Sequence, residues 1–178
     1  VVFLDRDGVI NEDSPAYIKS WNEFRLIPGS IEAIRRLAGG GFAVILITNQ
    51  SAVGRGLLSE PVLDSMHENL KTLVANAGGT ITDIFVCPHR PEDGCDCRKP
   101  LPGLIHQARQ KYGIDLTDAV MVGDSIRDIE CGKQAGCRTV LVRTGNGIQA
   151  EACLTRRGIS PDAVLADLAE AAEWILQR

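Results

Sequence analysis

Apolar runs of four to seven residues recur along the chain, separated by stretches whose hydrophobic spacing follows the helical period. Val1 to Leu4 is the first, four apolar residues cut off by Asp5 and then Gly8, and it reads as a short buried strand. Ile31, Ile34 and Leu37 form one stripe over residues 29–37, a helix that Gly39, Gly40 and Gly41 end. "FAVILIT" (42–48) is unbroken and predicts a strand buried on both faces. A helix is expected over 59–76, with Ser59 and Pro61 as start signals. "DIFVC" (83–87), "AVMVGD" (119–124) and "TVLVRTG" (139–145) read as the next strands, and "DAVLADL" (162–168) carries a short sixth into a last helix. Helices over 103–112 and 126–134 lie between them. Strand and helix alternate without a repeat or linker, which predicts one α/β domain over residues 1–178 built on a doubly wound, mostly parallel sheet.

Composition narrows the setting. At 178 residues, 44% hydrophobic and 24% charged, the chain has the balance of a soluble globular protein large enough for a full core. No apolar run approaches a membrane span, and no basic stretch leads into an apolar one as in a secretion leader. Residues ahead of Val1 are expected, since the chain does not open on Met. A net charge of −4 argues against broad nucleic-acid binding. A monomer in a reducing cytoplasm is the expectation, with no nucleic-acid or membrane partner.

The strand ends carry the chemistry. Aspartate is a poor strand residue, so Asp5 and Asp7 fall where the first strand becomes a loop. The second strand runs out through Thr48, Asn49 and Gln50, the third is followed by Arg98 and Lys99, and the fourth ends in Gly123 and Asp124 with Asp128 one turn on. In a parallel sheet these ends share one edge, where ligands bind. Converging carboxylates repel one another unless a cation shares the site, and Mg²⁺ bound by carboxylates and phosphate fits. Such a set suits phosphoryl transfer, in which one aspartate attacks phosphorus and a second moves the leaving group's proton.

A second cluster lies in "CPHRPEDGCDC". Cys87 and His89 are followed, after five residues, by Cys95 and Cys97, four ligands that suit tetrahedral, structural Zn²⁺. Unrelated thiols or a disulfide are the alternatives, disfavoured by the tight spacing. Such a metal would fix the height of Arg98 and Lys99 over a phosphate. Cys131, Cys137 and Cys153 are expected to be small buried hydrophobes. His67 and His106 read as packing or surface histidines, and Arg55 in "GRG" as part of a turn. Tyr17, Trp21 and Phe24 either pack the first loop or wall the pocket.

"LDRDGVI", "ILITNQS", "CRKP" and "MVGDSIRD" resemble, in order, the four motifs of the haloacid dehalogenase-like phosphatases. The resemblance spans nearly the whole chain. It implies Asp5 as nucleophile, Asp7 as general acid/base, and Thr48 and Lys99 as grips on the phosphoryl group. It also implies Mg²⁺ held by Asp5, the Asp7 backbone carbonyl and Asp124, with Asp128 in the outer shell. The two points where relatives insert a cap domain hold only residues 8–28 and 81–99, so the chain resembles the capless branch. Within it, "CDCRKPLPG" and "VLVRTGNG" resemble sugar-bisphosphate phosphatases of surface-glycan synthesis, whereas the short gap between His89 and Cys95 also resembles histidinol-phosphate phosphatases. By that resemblance Asp13, Ser14, Pro15, Ala16, Thr48, Asn49, Gln50, Ser51, Arg98 and Lys99 bind the substrate. Beside Arg98, the charges of Arg55 and Arg143 would suit a second phosphate, although Arg143 reads equally as a solvated strand end. An inactive zinc-stabilised binding module and a nucleic-acid 3′-phosphatase are the readings from other classes. The intact Asp5, Asp7, Lys99 and Asp124 set argues against the first, and the acidic balance against the second.

Overall fold

The computed structural model describes residues 1–177. Six strands form one sheet: β1 (Val2–Leu4), β2 (Val44–Asn49), β3 (Asp83–Cys87), β4 (Val120–Gly123), β5 (Arg138–Val142) and β6 (Ala163–Leu165). Their spatial order is β3-β2-β1-β4-β5-β6, and every neighbouring pair is parallel. The sheet is therefore wholly parallel rather than mostly so. Chain order runs outward from β1 in both directions, which opens a crevice at the carboxyl ends of β1 and its neighbours.

Alternation along each strand sorts side chains to two faces. Val2 and Leu4 join Val44 and Leu46 beneath α1 (Ser30–Gly39), α3 (Glu60–Asn76) and α7 (Leu168–Leu176). Phe3, Ile45, Ile47 and Met121 point the other way, against α4 (Gly103–Tyr112) and Cys131 of α5 (Ile126–Ala135). Both faces are covered, which is why the central strands carry near-continuous apolar runs. Cys131 and Cys137 are buried as expected, but Cys153 is only half-buried.

Two helices lie outside the elements predicted from sequence. One is a single turn, α2 (Ser51–Gly54), directly after β2. The other is α6 (Gly147–Arg156), whose buried stripe is Gly147, Ala150 and Leu154. Two of those three are too small to register as hydrophobic periodicity. Gly147 sits so close to β5 that a Cβ would collide with the Val142 carbonyl oxygen. That close approach brings the turn before α6 onto the crevice.

Gly147→Ala is expected to destabilise the fold by about 1–3 kcal/mol, the usual cost of overpacking. Gly39→Ala, in α1 with nothing near the added methyl, is expected to stabilise by about 0.4–1 kcal/mol. Urea unfolding of the two variants checks both signs.

Candidate active site

The residue after β1 opens the site. Asp5 continues the β1–β4 ladder, its N–H donating to Val122 O (3.0 Å), so its carboxylate is fixed at the strand end. Val9, Ile10 and Asn11 then direct their N–H groups onto the Arg6 carbonyl, which closes residues 6–11 into a tight loop. Gly8 adopts a positive φ of 85°, and a Cβ there would strike the Asp124 carboxylate. The loop and the end of β4 can approach this closely only because position 8 has no side chain.

Lys99 is 2% exposed; its ammonium donates to Ile47 O at 2.8 Å and forms ion pairs with Asp5 Oδ1 at 2.9 Å and Asp128 Oδ1 at 2.6 Å. Asn49 fixes its backbone from both sides, donating to Lys99 O and accepting from Lys99 N. Asp128 also caps α5, its Oδ2 accepting from the Ser125 N–H and hydroxyl. Asp124 accepts from the Asn146 N–H at 2.8 Å, and Asn146 Nδ2 donates on to Asp13 Oδ2 at 3.1 Å.

Carboxyl oxygens of Asp5, Asp124 and Asp128 all lie within 4.8 Å of one another. Burial pushes the Asp5 carboxyl well above the usual carboxylate range; Asp128 and Asp124 push it the same way, against the pull of Lys99. Burial and then Asp128 raise Asp124 to about 6. One ammonium among three carboxylates leaves net negative charge in a poorly solvated site. That donor set, all hard oxygens with a surplus of charge, fits a divalent cation such as Mg²⁺.

Asp7 is held differently. Arg6 donates to both its oxygens (Nη2 at 2.9 and 3.0 Å, Nε at 3.2 Å), Asn11 Nδ2 reaches Oδ1 at 2.8 Å and Gln50 Nε2 reaches Oδ2 at 2.7 Å. Burial alone would raise this carboxyl, but Arg6, Asn11 and Gln50 together hold it below the usual range. Asp7 is ionised at neutral pH in this arrangement.

The cleft above these groups has a volume of about 330 Å³. Asp13, Ser14 and Pro15 form part of its wall, as do Asn49, Gln50, Ser51, Arg98 and Lys99. Ala16 is not on the wall; its N–H only closes the turn onto Ser14 Oγ. Thr48 is fully buried, and its hydroxyl accepts from Gln50 Nε2 at 2.9 Å rather than facing the cleft. Arg55, read from sequence as a turn residue, reaches the wall. Arg143 does not: its guanidinium is paired with Glu151 at 2.7 and 2.8 Å. Arg127 takes that place on the rim, and nothing in its local sequence marked it out. Tyr17 lines the cleft, whereas Trp21 and Phe24 stack on each other at 4.8 Å and pack the loop.

Behind the rim, Cys87, His89, Cys95 and Cys97 bring their ligand atoms together. Cys87 Sγ lies 3.7 Å from both His89 Nδ1 and Cys95 Sγ, and His89 Nδ1 lies 3.3 Å from Cys97 Sγ. These are close to the edges of a tetrahedron with bonds of about 2.0–2.3 Å, so the four could hold Zn²⁺. All six cysteines are free thiols, which removes the disulfide alternative. The loop is wedged between α2 and α4: a Cβ on Gly54 would press on Pro88 O, and one on Gly103 would strike Asp96 O. Arg98 Nη1 donates to His89 O at 3.1 Å, tying the rim arginine to the same loop.

Comparison with known proteins now bears on this geometry. The HAD-hydrolase-like family model matches residues 96–171. The D-glycero-β-D-manno-heptose-1,7-bisphosphate 7-phosphatase of Bordetella bronchiseptica is 45% identical over 178 residues, covering 99% of this chain and 98% of that protein. The chain belongs to the heptose-bisphosphate phosphatase family. The Pseudomonas aeruginosa member is 50% identical over 149 residues, 84% of each chain. A crystal structure of the B. bronchiseptica heptose bisphosphate phosphatase, complexed with magnesium and phosphate, superposes with a TM-score of 0.92 at 44% identity, covering 99% of this chain and 97% of that one. Membership in the family accounts for the all-parallel sheet and for the order of the four motifs. Arg6, Asn11, Asn146 and Arg127 are the site residues that motif reading passed over.

Protein purified without chelator is expected to carry one zinc per chain by metal analysis. Cys95→Ser should lower the Tm while largely sparing Mg²⁺ affinity, because it frees the loop without touching Asp5 or Asp124. A zinc-free protein of undiminished stability would refute the assignment.

Proposed function

We propose that this protein is a Mg²⁺-dependent phosphatase that hydrolyses the 7-phosphate of D-glycero-β-D-manno-heptose 1,7-bisphosphate and leaves the 1-phosphate in place. The observation that carries the reading is the Asp5, Asp124 and Asp128 cluster around Lys99 at the floor of an open cleft. Full-length similarity to enzymes named for this reaction supports the substrate.

Asp5 is the nucleophile. Its Oδ1 is engaged by the Arg6 N–H at 2.7 Å and by Lys99, which leaves Oδ2 to attack phosphorus. As the Asp5–phosphorus bond forms, the bond to the sugar oxygen breaks, and Asp7 gives that oxygen a proton. Asp7, again a carboxylate, then takes a proton from water; the water oxygen attacks phosphorus, the Asp5 ester bond breaks, and inorganic phosphate leaves. Asp5, Asp124 and the Asp7 backbone carbonyl would hold Mg²⁺, with Asp128 behind them. When bound, the cation neutralises charge on the phosphoryl oxygens and the carboxylates together. Lys99, its ammonium against Asp5 and Asp128, would fix Asp5 and steady the phosphoryl group. Thr48 steadies the site through Gln50. Ionised Asp7 is ready for the water step, and it must gain a proton before the first.

Asp13, Ser14, Pro15, Asn49, Gln50 and Ser51 would contact the sugar, and Arg98, Arg55 and Arg127 the distal phosphate. A guanidinium fork grips a phosphate in two places, whereas a basic rim opposes the ammonium and imidazole of histidinol phosphate. The same reading makes the chain one domain, working as a monomer in the cytoplasm on a small molecule, with no nucleic-acid or membrane partner. Among the described residues no helix is long and apolar enough to cross a membrane.

Asp5→Asn should abolish turnover, since an amide does not attack phosphorus, and Asp7→Asn should lose roughly 10²- to 10⁴-fold. Near-wild-type turnover by Asp5→Asn would remove the nucleophile assignment. The substrate is tested by kcat/KM for heptose bisphosphate against histidinol phosphate on one preparation: the bisphosphate should win, and Arg98→Ala should reduce that preference. A preference for histidinol phosphate would overturn the substrate while leaving the nucleophile in place.

A further inference from the structure

Arg6 is a fully buried arginine between two carboxylates that the proposed reaction uses. Its backbone N–H holds Asp5 Oδ1, its carbonyl gathers the N–H groups of the loop, and its guanidinium grips Asp7 with Nε and Nη2. The remaining arm is also fixed. Nη1 lies 3.1 Å from Nε2 of His67, a buried residue of α3, and the guanidinium carbon sits 5.5 Å from the ring centroid of Phe24. Burial and then Arg6 depress His67 to about 3, so the imidazole is neutral and Nε2 accepts from Nη1.

We propose that Arg6, anchored by His67 and Phe24, is the positioning residue that sets where Asp7 can deliver and collect a proton. An arginine clamped only to Asp7 would move with it. This one is clamped on three sides, by a helix, by an aromatic face and by the loop it closes, so the Asp7 carboxylate has one fixed bearing in an otherwise water-accessible cleft. A carboxylate has about four lone-pair sites, and Arg6, Asn11 and Gln50 occupy them from known directions. Protonation of Asp7 must release one of these partners. Because His67 and Phe24 retain the guanidinium, Gln50 and Asn11 are the partners free to give way. Of the two, Gln50 lines the cleft and bonds Oδ2, so Oδ2 is the oxygen on the side where the leaving group sits.

This role rests on the phosphatase reading, and it makes a demand that loop folding alone does not. A misplaced Asp7 harms an ester whose leaving group needs a proton far more than one whose leaving group departs as a stable anion. Arg6→Met and His67→Leu should therefore lose kcat on the alkyl sugar phosphate at least about tenfold more than on p-nitrophenyl phosphate, within the 10²- to 10⁴-fold that a positioned acid contributes. KM for the sugar phosphate should shift by less than about threefold, since no substrate contact is removed. His67→Gln, whose amide oxygen can accept from Nη1, should keep the wild-type ratio of the two esters. Arg6→Met leaves Asp7 half-buried without its charged partner, so if that variant does not fold the His67 pair decides. Equal losses on both esters in His67→Leu, or loss of the ratio in His67→Gln as well, would overturn the role of Arg6 and leave the phosphatase standing. A wild-type protein inactive on both esters would overturn both.

Discussion

The structure turns on one buried ammonium. Lys99 places a single positive charge against Asp5 and Asp128, and it donates a hydrogen bond to a backbone carbonyl of β2. Removing one partner from such a buried pair typically costs about 3–5 kcal/mol, because the other charge is stranded. Every element near the crevice is arranged to keep this charge in place. The third strand leads to it, Asn49 of β2 brackets its backbone, and the first turn of α5 supplies the carboxylate below it. The charge is still too small for its surroundings. Asp5 and Asp124 remain raised, and the leftover negative potential is what a divalent cation and a phosphoryl group would share.

Holding Lys99 at that height is a problem of loop construction. The segment from β3 to α4 has little apolar surface of its own; its buried residues include Cys87, Cys97 and Lys99. Four soft-to-borderline ligands that could hold Zn²⁺, in a loop wedged between Gly54 and Gly103, would give it rigidity that hydrophobic packing does not. Because Cys97 is two residues from Lys99 and His89 O accepts from Arg98, this loop ties the floor and rim of the cleft together. Asp5 and Asp7, one residue apart, are separated in character by the same means. Asp5 is raised by burial and then by neighbouring carboxylates, while Asp7, although buried, is lowered by Arg6 and its other donors. Paired acids whose environments push them apart are how one site divides nucleophile from proton carrier.

Much of this was legible in the chain. Unbroken apolar runs specify strands buried on both faces, and alternation with helical stripes specifies a parallel sheet, so the six strands and the edge bearing Asp5, Asp124 and Lys99 follow from pattern alone. The zinc quartet was equally plain, because its four ligands lie within eleven residues. Helix α6 escaped because its buried face is glycine, alanine and one leucine, which carries close packing but little hydropathy.

What only the tertiary structure decided concerns groups whose partners are distant in sequence. Arg6 stands between two aspartates in sequence, and His67, 61 residues away, fixes its free arm. Asn146 and Asp124 meet across 22 residues, and Arg143 is drawn off to Glu151 while Arg127 reaches the cleft. Thr48 is buried with its hydroxyl on Gln50, whose amide also reaches Asp7, a connection that local sequence does not reveal. The sequence determined which residue types arrive at the sheet edge, since covalent order and hydrophobic period are local properties. Which of them pair, and which stay free for a substrate, depended on burial and charge brought together through space.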